Sequence, residues 1–160
     1  VHGRTRCQFY KGAADWQAIG RVKHAVSIPV IANGDIVDVT SARQALQQSG
    51  ADGVMVGRGA QGAPWRLAEI SSALYGTPAP KIPKGAALAH LILQHHQDIV
   101  DFYGGTLGLK NARKHLGWYL DGLQVAPELR QSLLRSFDLS EIHELIWRAV
   151  EAPSTAGVAA

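Results

Sequence analysis

Two short apolar runs, each ending abruptly at a turn, constrain the fold of this chain more than any other feature. The first is IPVIANGDI, residues 28–36, and the second is GVMVGRG, residues 53–59. Neither run alternates apolar with polar residues, which is typical of strands buried on both faces in a parallel sheet. A helical pattern separates the runs, so the segment is predicted to form a right-handed strand–helix–strand unit. Both turns then fall at the carboxyl ends of parallel strands, where α/β proteins usually bind ligands.

Helical patterns account for most of the remaining sequence. We expect strands over residues 28–32 and 53–56, and around them helices over residues 15–26, 39–49 and 64–75. Asp15 is expected to cap the first helix, and either Asp38 or Thr40 the second, which Gly50 ends. Pro64 suits the first turn of the third helix. Apolar spacing predicts further helices over residues 88–102, 109–123, 127–137 and 140–152, with His95 and Phe102 on the first buried stripe and Ser140 as the last cap.

A proline-rich segment divides the chain. Residues 76–84 contain three prolines and are interpreted as a linker between domains. Residues 1–75 offer two clear strands and the end of a third, too few for a (β/α)8 barrel of about 250 residues. The predicted fold class is therefore α/β: the last quarter of a TIM barrel, followed by a small all-α helical bundle over residues 85–152. A doubly wound sheet is the competing architecture, and residues 153–160 are expected to be a disordered tail.

Composition narrows the class of protein. The chain starts with Val1 and its only methionine is Met55, so we interpret it as the carboxyl-terminal half of a longer protein. A single cysteine excludes an internal disulfide, and we predict no metal site and no membrane segment, in keeping with a cytoplasmic protein. Net charge is +3, and residues 75–160 carry eight basic against eight acidic side chains, so any nucleic-acid contact there must be local.

The turn Gly57-Arg58-Gly59 is a candidate anion site. Glycine lets backbone N–H groups approach an anion, a predicted helix amino terminus beyond it adds partial positive charge, and Arg58 adds a fork of donors. In barrels, the loops after the last strands frequently hold a phosphate. The alternative, equally open on these residues, is that Gly34, Gly57 and Gly59 only make tight turns. Asn33 and Asp35 could bind sugar-like hydroxyls, although capping local N–H groups is the commoner role.

A compact basic patch is predicted on the helix over residues 109–123. Lys110, Arg113 and Lys114 lie in a stretch without acidic residues, and the two lysines project away from the leucine stripe. The patch suits phosphate contacts, although a solvated face is the usual alternative. Trp118 could stack on a base, but packing against another helix is commoner.

Four strings together resemble one family. HGRTR (residues 2–6), PVIANGDI (29–36), GADGVMVGRGAQGAPW (50–65) and LKNARKHLGWYL (109–120) occur in this order in bacterial tRNA-dihydrouridine synthases. The similarity is greatest to the B-type branch and covers nearly all of the chain up to the last helices. PVIANGDI alone would also fit several flavin barrels. The resemblance implies an FMN-bound barrel with a helical carboxyl-terminal domain that binds tRNA.

The resemblance also implies a reaction and a site. In this family NADPH reduces FMN, the flavin passes a hydride to C6 of a tRNA uridine, and a Cys supplies the proton to C5. The implied FMN contacts are Asn33, Gly34, Asp35, Gly57 and Arg58, with His2 at the flavin edge, and the implied tRNA contacts are Lys110, Arg113 and Lys114. Arg4 and Arg6 could face the tRNA, but solvated loop cations are at least as common.

The family's proton-donating Cys and flavin-contacting Lys belong to earlier strands that this chain does not contain. Cys7 lies in a loop and does not occupy the catalytic position, so no catalytic residue is assigned and the fragment alone is expected to be inactive. Two other functions stay open: a phosphate-binding barrel acting on a small phosphorylated substrate, and a non-enzymatic RNA-binding module.

Overall fold

The computed structural model describes residues 1–9 and 11–151, and the chain divides into two compact units, Val1–Lys81 and Ile82–Ala160. The boundary falls within residues 76–84, the segment interpreted as a linker. The predicted tail at 153–160 lies outside the described residues. Among the helices that are described, none is both long and apolar enough to cross a membrane.

The first unit is built on a parallel pair of strands. Its elements are α1 (Trp16–Ala25), β1 (Ile31–Asn33), α2 (Val39–Ser49), β2 (Gly53–Met55) and α3 (Arg66–Tyr75), with short 3-10 turns at Arg6–Gln8 and Arg58–Ala60. Ile31 lies opposite Gly53, and Asn33 lies opposite Met55. The predicted parallel strand–helix–strand unit is therefore confirmed. On the other side of β1, His2 forms a parallel bridge with Asn33, so the chain start lies where the expected end of a third strand would be.

Local signals define the helix ends in this unit. The side chain of Asp15 accepts from Ala18 N at 2.8 Å, and Asp38 accepts from Ser41 N at 2.7 Å in a capping box. The cap of α2 is thus Asp38 and not Thr40. Gly50 adopts the left-handed conformation, φ +60°, that ends α2. Pro64, in contrast, precedes α3 by two residues and lies outside its first turn.

The core of the first unit lies on one face of the strands only. Ala32 is fully buried with Ile19 and Val30 beneath the helices, whereas Ile31 is 45% exposed and Met55 is 50% exposed. Within the described residues, therefore, the strands are covered on one face and not on both as expected. Successive side chains of a strand point to opposite faces, and only the Ala32 side is covered by helices. β1 also starts at Ile31 instead of residue 28.

The second unit consists, over its described residues, of four helices. They are α4 (Ala86–Tyr103), α5 (Gly105–Asp121), α6 (Pro127–Arg135) and α7 (Leu139–Glu151). α4 packs against α5 and α7, and α6 packs against α5 and α7. Buried side chains from all four helices include Ile92, Leu116, Leu133 and Ile146.

Two sequence expectations fail at α4 and α5. The fully buried histidine of α4 is His96, whereas His95 is half-buried, and Phe102 is 81% exposed instead of lying on a buried stripe. α5 begins at Gly105, four residues before the predicted start. A Cβ on Gly108 would lie 2.7 Å from Val100 Cα, so this glycine permits the close approach of α4 and α5.

The expected cap of α7 is also wrong. Ser140 lies inside the helix, and Asp138 caps it instead. The Asp138 carboxylate accepts from Glu141 N at 3.0 Å, and its backbone carbonyl accepts from Ile142 N at 2.9 Å.

Candidate functional site

A cavity of about 300 Å³ opens where β1 and β2 end. It brings together all six residues for which flavin contact was predicted: His2, Asn33, Gly34, Asp35, Gly57 and Arg58. Gly59, from the predicted anion turn, also lines it, together with Ile36 and Val37, which were not predicted to contact a ligand. The parallel register places the two turns side by side, which is why residues more than twenty positions apart share one cavity.

The turn after β1 has a conformation that requires glycine. Gly34 has φ +115°, and a Cβ there would lie 2.8 Å from the Ala14 side chain. The indole Nε1 of Trp16 donates to the Gly34 carbonyl at 2.8 Å, which ties the turn to the first turn of α1. Asp35, with φ +56°, also adopts a left-handed conformation. This wall of the cavity is therefore held in one arrangement by neighbours from α1 and its preceding loop.

The carboxylate of Asp35 is bound from two sides. Arg4 Nη1 and Nη2 donate to its two oxygens at 2.7 and 2.6 Å, and Ala14 N donates at 2.8 Å. The hydrogen bonds from Arg4 are the main cause that lowers the pKa of Asp35; burial opposes them, while Ala14 and the charges of Arg4 and Arg58 add to the lowering. Asp35 therefore stays ionised at neutral pH, and its charge is largely offset by Arg4.

The environment of Arg4 differs from both alternatives that the sequence suggested. Its side chain is only 5% exposed, so it is neither a solvated loop cation nor a group turned toward RNA. Besides Asp35, its guanidinium donates to the carbonyls of Lys11 and Gly12 at 3.2 and 2.6 Å. No local pattern could reveal this pair, because Asp35 lies 31 positions further along the chain.

His2 presents a defined edge to the cavity. Its Nδ1 accepts from the backbone N of Arg4 at 2.9 Å. A nitrogen that accepts cannot carry the ring proton, so this hydrogen bond selects the tautomer with the proton on Nε2. Nε2–H is then the group that His2 can offer to a ligand.

The turn after β2 differs from the sequence expectation. Arg58–Ala60 forms a single 3-10 turn, and α3 starts only at Arg66, so no α-helix amino terminus lies directly beyond the glycines. The helix-dipole part of the anion argument is therefore wrong. A Cβ on Gly57 would meet no protein atom within 4 Å, which leaves the backbone of Gly57 open to a ligand. The Arg58 side chain is 55% exposed, and its Nη2 lies 3.9 Å from an oxygen of Asp35.

These groups fit a phosphorylated ligand. Arg58 and the open backbone of Gly57 can bind an anion, and Asp35 does not oppose it because Arg4 offsets the carboxylate charge. Asn33 and the Nε2–H of His2 add polar groups along the same cavity. Over residues 1–9 and 11–151 there is no group of three or more His, Cys, Asp or Glu side chains that could hold a metal ion.

The predicted basic patch on α5 divides into two parts. Lys110 and Lys114 are exposed. Arg113 is half-buried, its guanidinium carbon lies 4.5 Å from the centre of the Phe137 ring, and its Nη2 is buried without a hydrogen-bond partner. Trp118 is half-buried and meets the His115 ring edge to face, with 4.8 Å between centroids. The two lysines are therefore available to a polyanion, whereas Arg113 is packed against Phe137.

Comparisons with known proteins agree with the resemblance in the sequence. The family model for dihydrouridine synthases matches residues 1–153. A probable tRNA-dihydrouridine synthase of Rhodobacter capsulatus is 59% identical over 138 residues, which cover 86% of this chain and 42% of that protein. The corresponding proteins of Rickettsia bellii and Rhizobium leguminosarum bv. phaseoli are 52% and 39% identical, over 81% and 98% of this chain. The chain spans less than half the length of these curated relatives.

Proposed function

Because this chain belongs to the dihydrouridine synthase family, we propose that the full-length protein reduces the C5=C6 bond of uridine in tRNA to dihydrouridine. The observation that supports this function best is the cavity at the ends of β1 and β2, which gathers all six residues implied as flavin contacts. On this proposal the protein is a cytoplasmic oxidoreductase, and tRNA is its macromolecular partner.

We propose that residues 1–75 form the carboxyl-terminal part of an FMN-binding TIM barrel. The exposed face of the strands, with Ile31 and Met55, would then line the barrel interior, where strand side chains pack in layers. The helical unit that follows residues 76–84 would be the tRNA-binding domain, a small helical bundle over residues 85–152.

When bound, FMN would supply a hydride for C6 of the uridine, and NADPH would be its reductant. Arg58 and the backbone of Gly57 would hold the FMN phosphate. Asn33 and Asp35 would lie along the ribityl chain. A carboxylate has about four acceptor sites, and three hydrogen bonds already occupy that of Asp35, so it can still accept from one hydroxyl. Its main role is to shape the turn. His2 would donate from Nε2 at the flavin edge.

We assign no catalytic residue to this chain. Cys7 is exposed and is not among the residues that line the cavity, so it is not positioned to protonate C5 of the uridine. The proton donor and the flavin-contacting Lys would come from other parts of the full-length protein. This chain alone is expected to show no turnover.

The first experiment is to measure FMN in the natively purified full-length protein, by its absorbance spectrum and by the mass of the released cofactor. We expect near-stoichiometric FMN. Arg58→Ala should lower FMN occupancy at least severalfold and leave tRNA affinity nearly unchanged. Arg21→Ala, an exposed arginine on α1, is the matched control and should retain FMN.

Two outcomes would count against the proposal. Equal occupancy in Arg58→Ala and wild type would remove Arg58 from the phosphate site. A colourless wild-type protein that cannot be reconstituted with FMN would instead favour a barrel acting on a small phosphorylated substrate, or an RNA-binding module.

A further inference from the structure

We propose that Arg4 is a positioning residue of this cavity, whose side chain clamps Asp35 while its backbone amide fixes the ring of His2. The ligand that benefits is the flavin, so the inference rests on the proposed function for the identity of that ligand. The clamp itself is a property of the protein alone and can be tested without any cofactor.

The first step of the argument is the burial of Arg4. A guanidinium that is only 5% exposed has lost most of its water, which is costly unless other groups replace it. Here Nε, Nη1 and Nη2 all donate: to the carbonyls of Lys11 and Gly12 and to both oxygens of Asp35. The planar fork matches the carboxylate in a bidentate manner, which fixes orientation as well as distance.

The second step is what the pair connects. Arg4 belongs to the loop after the chain start, and Asp35 belongs to the turn after β1. The backbone joins the same segments, because Gly3 N donates to Asn33 O and Asn33 N donates to Val1 O, each at 2.9 Å. The ion pair between Arg4 and Asp35 therefore extends the backbone pairing of these two segments beyond Gly3 and Asn33. The two walls of the cavity are held together as one unit.

The third step is the link to His2. The backbone N of Arg4 donates to His2 Nδ1, and that bond persists only while residue 4 stays in place. The ring lies directly over the turn, since a Cβ on Gly34 would come within 3.1 Å of His2 Cε1. Anchoring the Arg4 side chain at Asp35 thus holds the Nε2–H of His2 toward the cavity. Arg4 touches no ligand in this scheme and acts through His2 and Asp35.

The tautomer of His2 reports this role directly. In full-length apo protein labelled with ¹⁵N-histidine, the His2 signals are identified by their loss in His2→Gln. In wild type we expect a fixed pattern, with Nδ1 unprotonated and Nε2 protonated. In Arg4→Ala the two nitrogens should shift toward the averaged values of a free imidazole. Arg6→Ala removes an exposed arginine from the same loop and should preserve the wild-type pattern.

Milder variants keep the test decisive should Arg4→Ala fail to fold. Arg4→Lys retains the charge but lacks the planar fork of donors, and Asp35→Asn retains the shape but lacks the charge. Both should shift the His2 nitrogen signals toward the averaged values of a free imidazole. In the holoprotein, Arg4→Lys should also weaken FMN affinity by about tenfold, corresponding to roughly 1.4 kcal/mol.

The outcomes separate the two proposals. An unchanged His2 pattern in folded Arg4→Lys and Asp35→Asn would overturn the positioning role, whatever the protein binds. Wild-type protein that shows the fixed tautomer but takes up no FMN would leave the clamp supported and would overturn the proposed function.

Discussion

Gly57 and Gly59 stand two positions apart in one turn, yet they lack a side chain for opposite reasons. A Cβ on Gly59 would lie 2.6 Å from the carbonyl oxygen of Ile36 and 2.7 Å from Val37 Cα. Both atoms belong to the backbone, so the clash cannot be relieved by rotating a side chain. A Cβ on Gly57 would meet no protein atom within 4 Å, in a position that borders the cavity. Gly59 therefore serves packing, and Gly57 leaves space for a ligand.

This contrast predicts that the two alanine variants fail in different assays. Gly59→Ala should lower the free energy of unfolding by about 1–3 kcal/mol, as overpacking does, and should lower Tm. Gly57→Ala should keep a Tm close to that of wild type but retain less FMN. Thermal denaturation and the FMN content of the purified full-length variants measure both effects. A stable Gly59→Ala protein, or full FMN retention by Gly57→Ala, would contradict the assignment.

The residues of the two turns could be predicted from the sequence, but the contacts that hold the turns in place could not. Asn33, Gly34, Gly57 and Arg58 follow apolar runs, and that local pattern was enough to identify them as candidates. The role of Arg4 depends on a partner across the cavity, and a loop arginine looks the same in sequence whether it is solvated or buried.

At the scale of the helices, α4 and α7 enclose a pair of histidines that neither packing rules nor sequence spacing predicted. His96 is 2% exposed and its Nδ1 has no partner; His143 has a buried Nε2 without a partner, and the ring centroids are 6.4 Å apart. Burial is the main cause that lowers the pKa of His96 to about 4, and His143 and His95 add to it. From α5, the hydroxyl of Tyr119 and the ring of His115 both contact His95.

The burial of His96 makes the helical unit sensitive to acid. An unfolded chain protonates His96 near its usual pKa of 6.5, whereas the folded state resists protonation until about pH 4. The contribution of His96 to the stability of the folded state is therefore complete above pH 6.5 and is lost as the pH falls from there to about 4. Between about pH 7 and about pH 5 the loss should be about 2 kcal/mol. Urea denaturation at both pH values gives the free energy of unfolding, and the difference between the two values is the loss.

His96→Leu should flatten this pH dependence, because it removes the group that takes up the proton on unfolding. His90→Leu replaces an exposed histidine on the same helix and should retain the wild-type slope. A pH dependence in His96→Leu as steep as in wild type would show that another group is responsible.

The errors in the helix boundaries have tertiary causes. The predicted break is confirmed at Gly104, which ends α4 with φ +71°, but α5 begins at once at Gly105 although glycine is a poor helix former. The contact between Gly108 and Val100 compensates, because it can form only if α5 already runs alongside α4 there. Ser140 and Asp138 are both good caps by type, and only the position of the preceding chain decides between them.

At the scale of the whole molecule, the excess of positive charge lies in residues 1–74, which carry eight basic and five acidic side chains. The chain carries a net charge of +3, but residues 75–160 are neutral overall, so attraction to RNA in that half must come from a local patch. The exposed Lys110 and Lys114 form such a patch on α5. Arg113, which sequence spacing grouped with them, lies over the Phe137 ring, so its removal would disturb packing as well as charge.

If the helical unit binds tRNA as proposed, Lys110→Ala combined with Lys114→Ala should weaken binding and flatten its salt dependence. Each phosphate contact that is lost should reduce the slope of log K against log salt by roughly one, because fewer counterions are released on binding. The matched control combines Lys81→Ala with Lys84→Ala, which removes the same charge from two exposed lysines elsewhere in the chain. Titrations of the full-length variants with tRNA at several salt concentrations give the slopes, and FMN content confirms that each variant is intact. A similar loss of slope in both double variants would indicate only general attraction, whereas a loss confined to Lys110 and Lys114 would place the RNA backbone on α5.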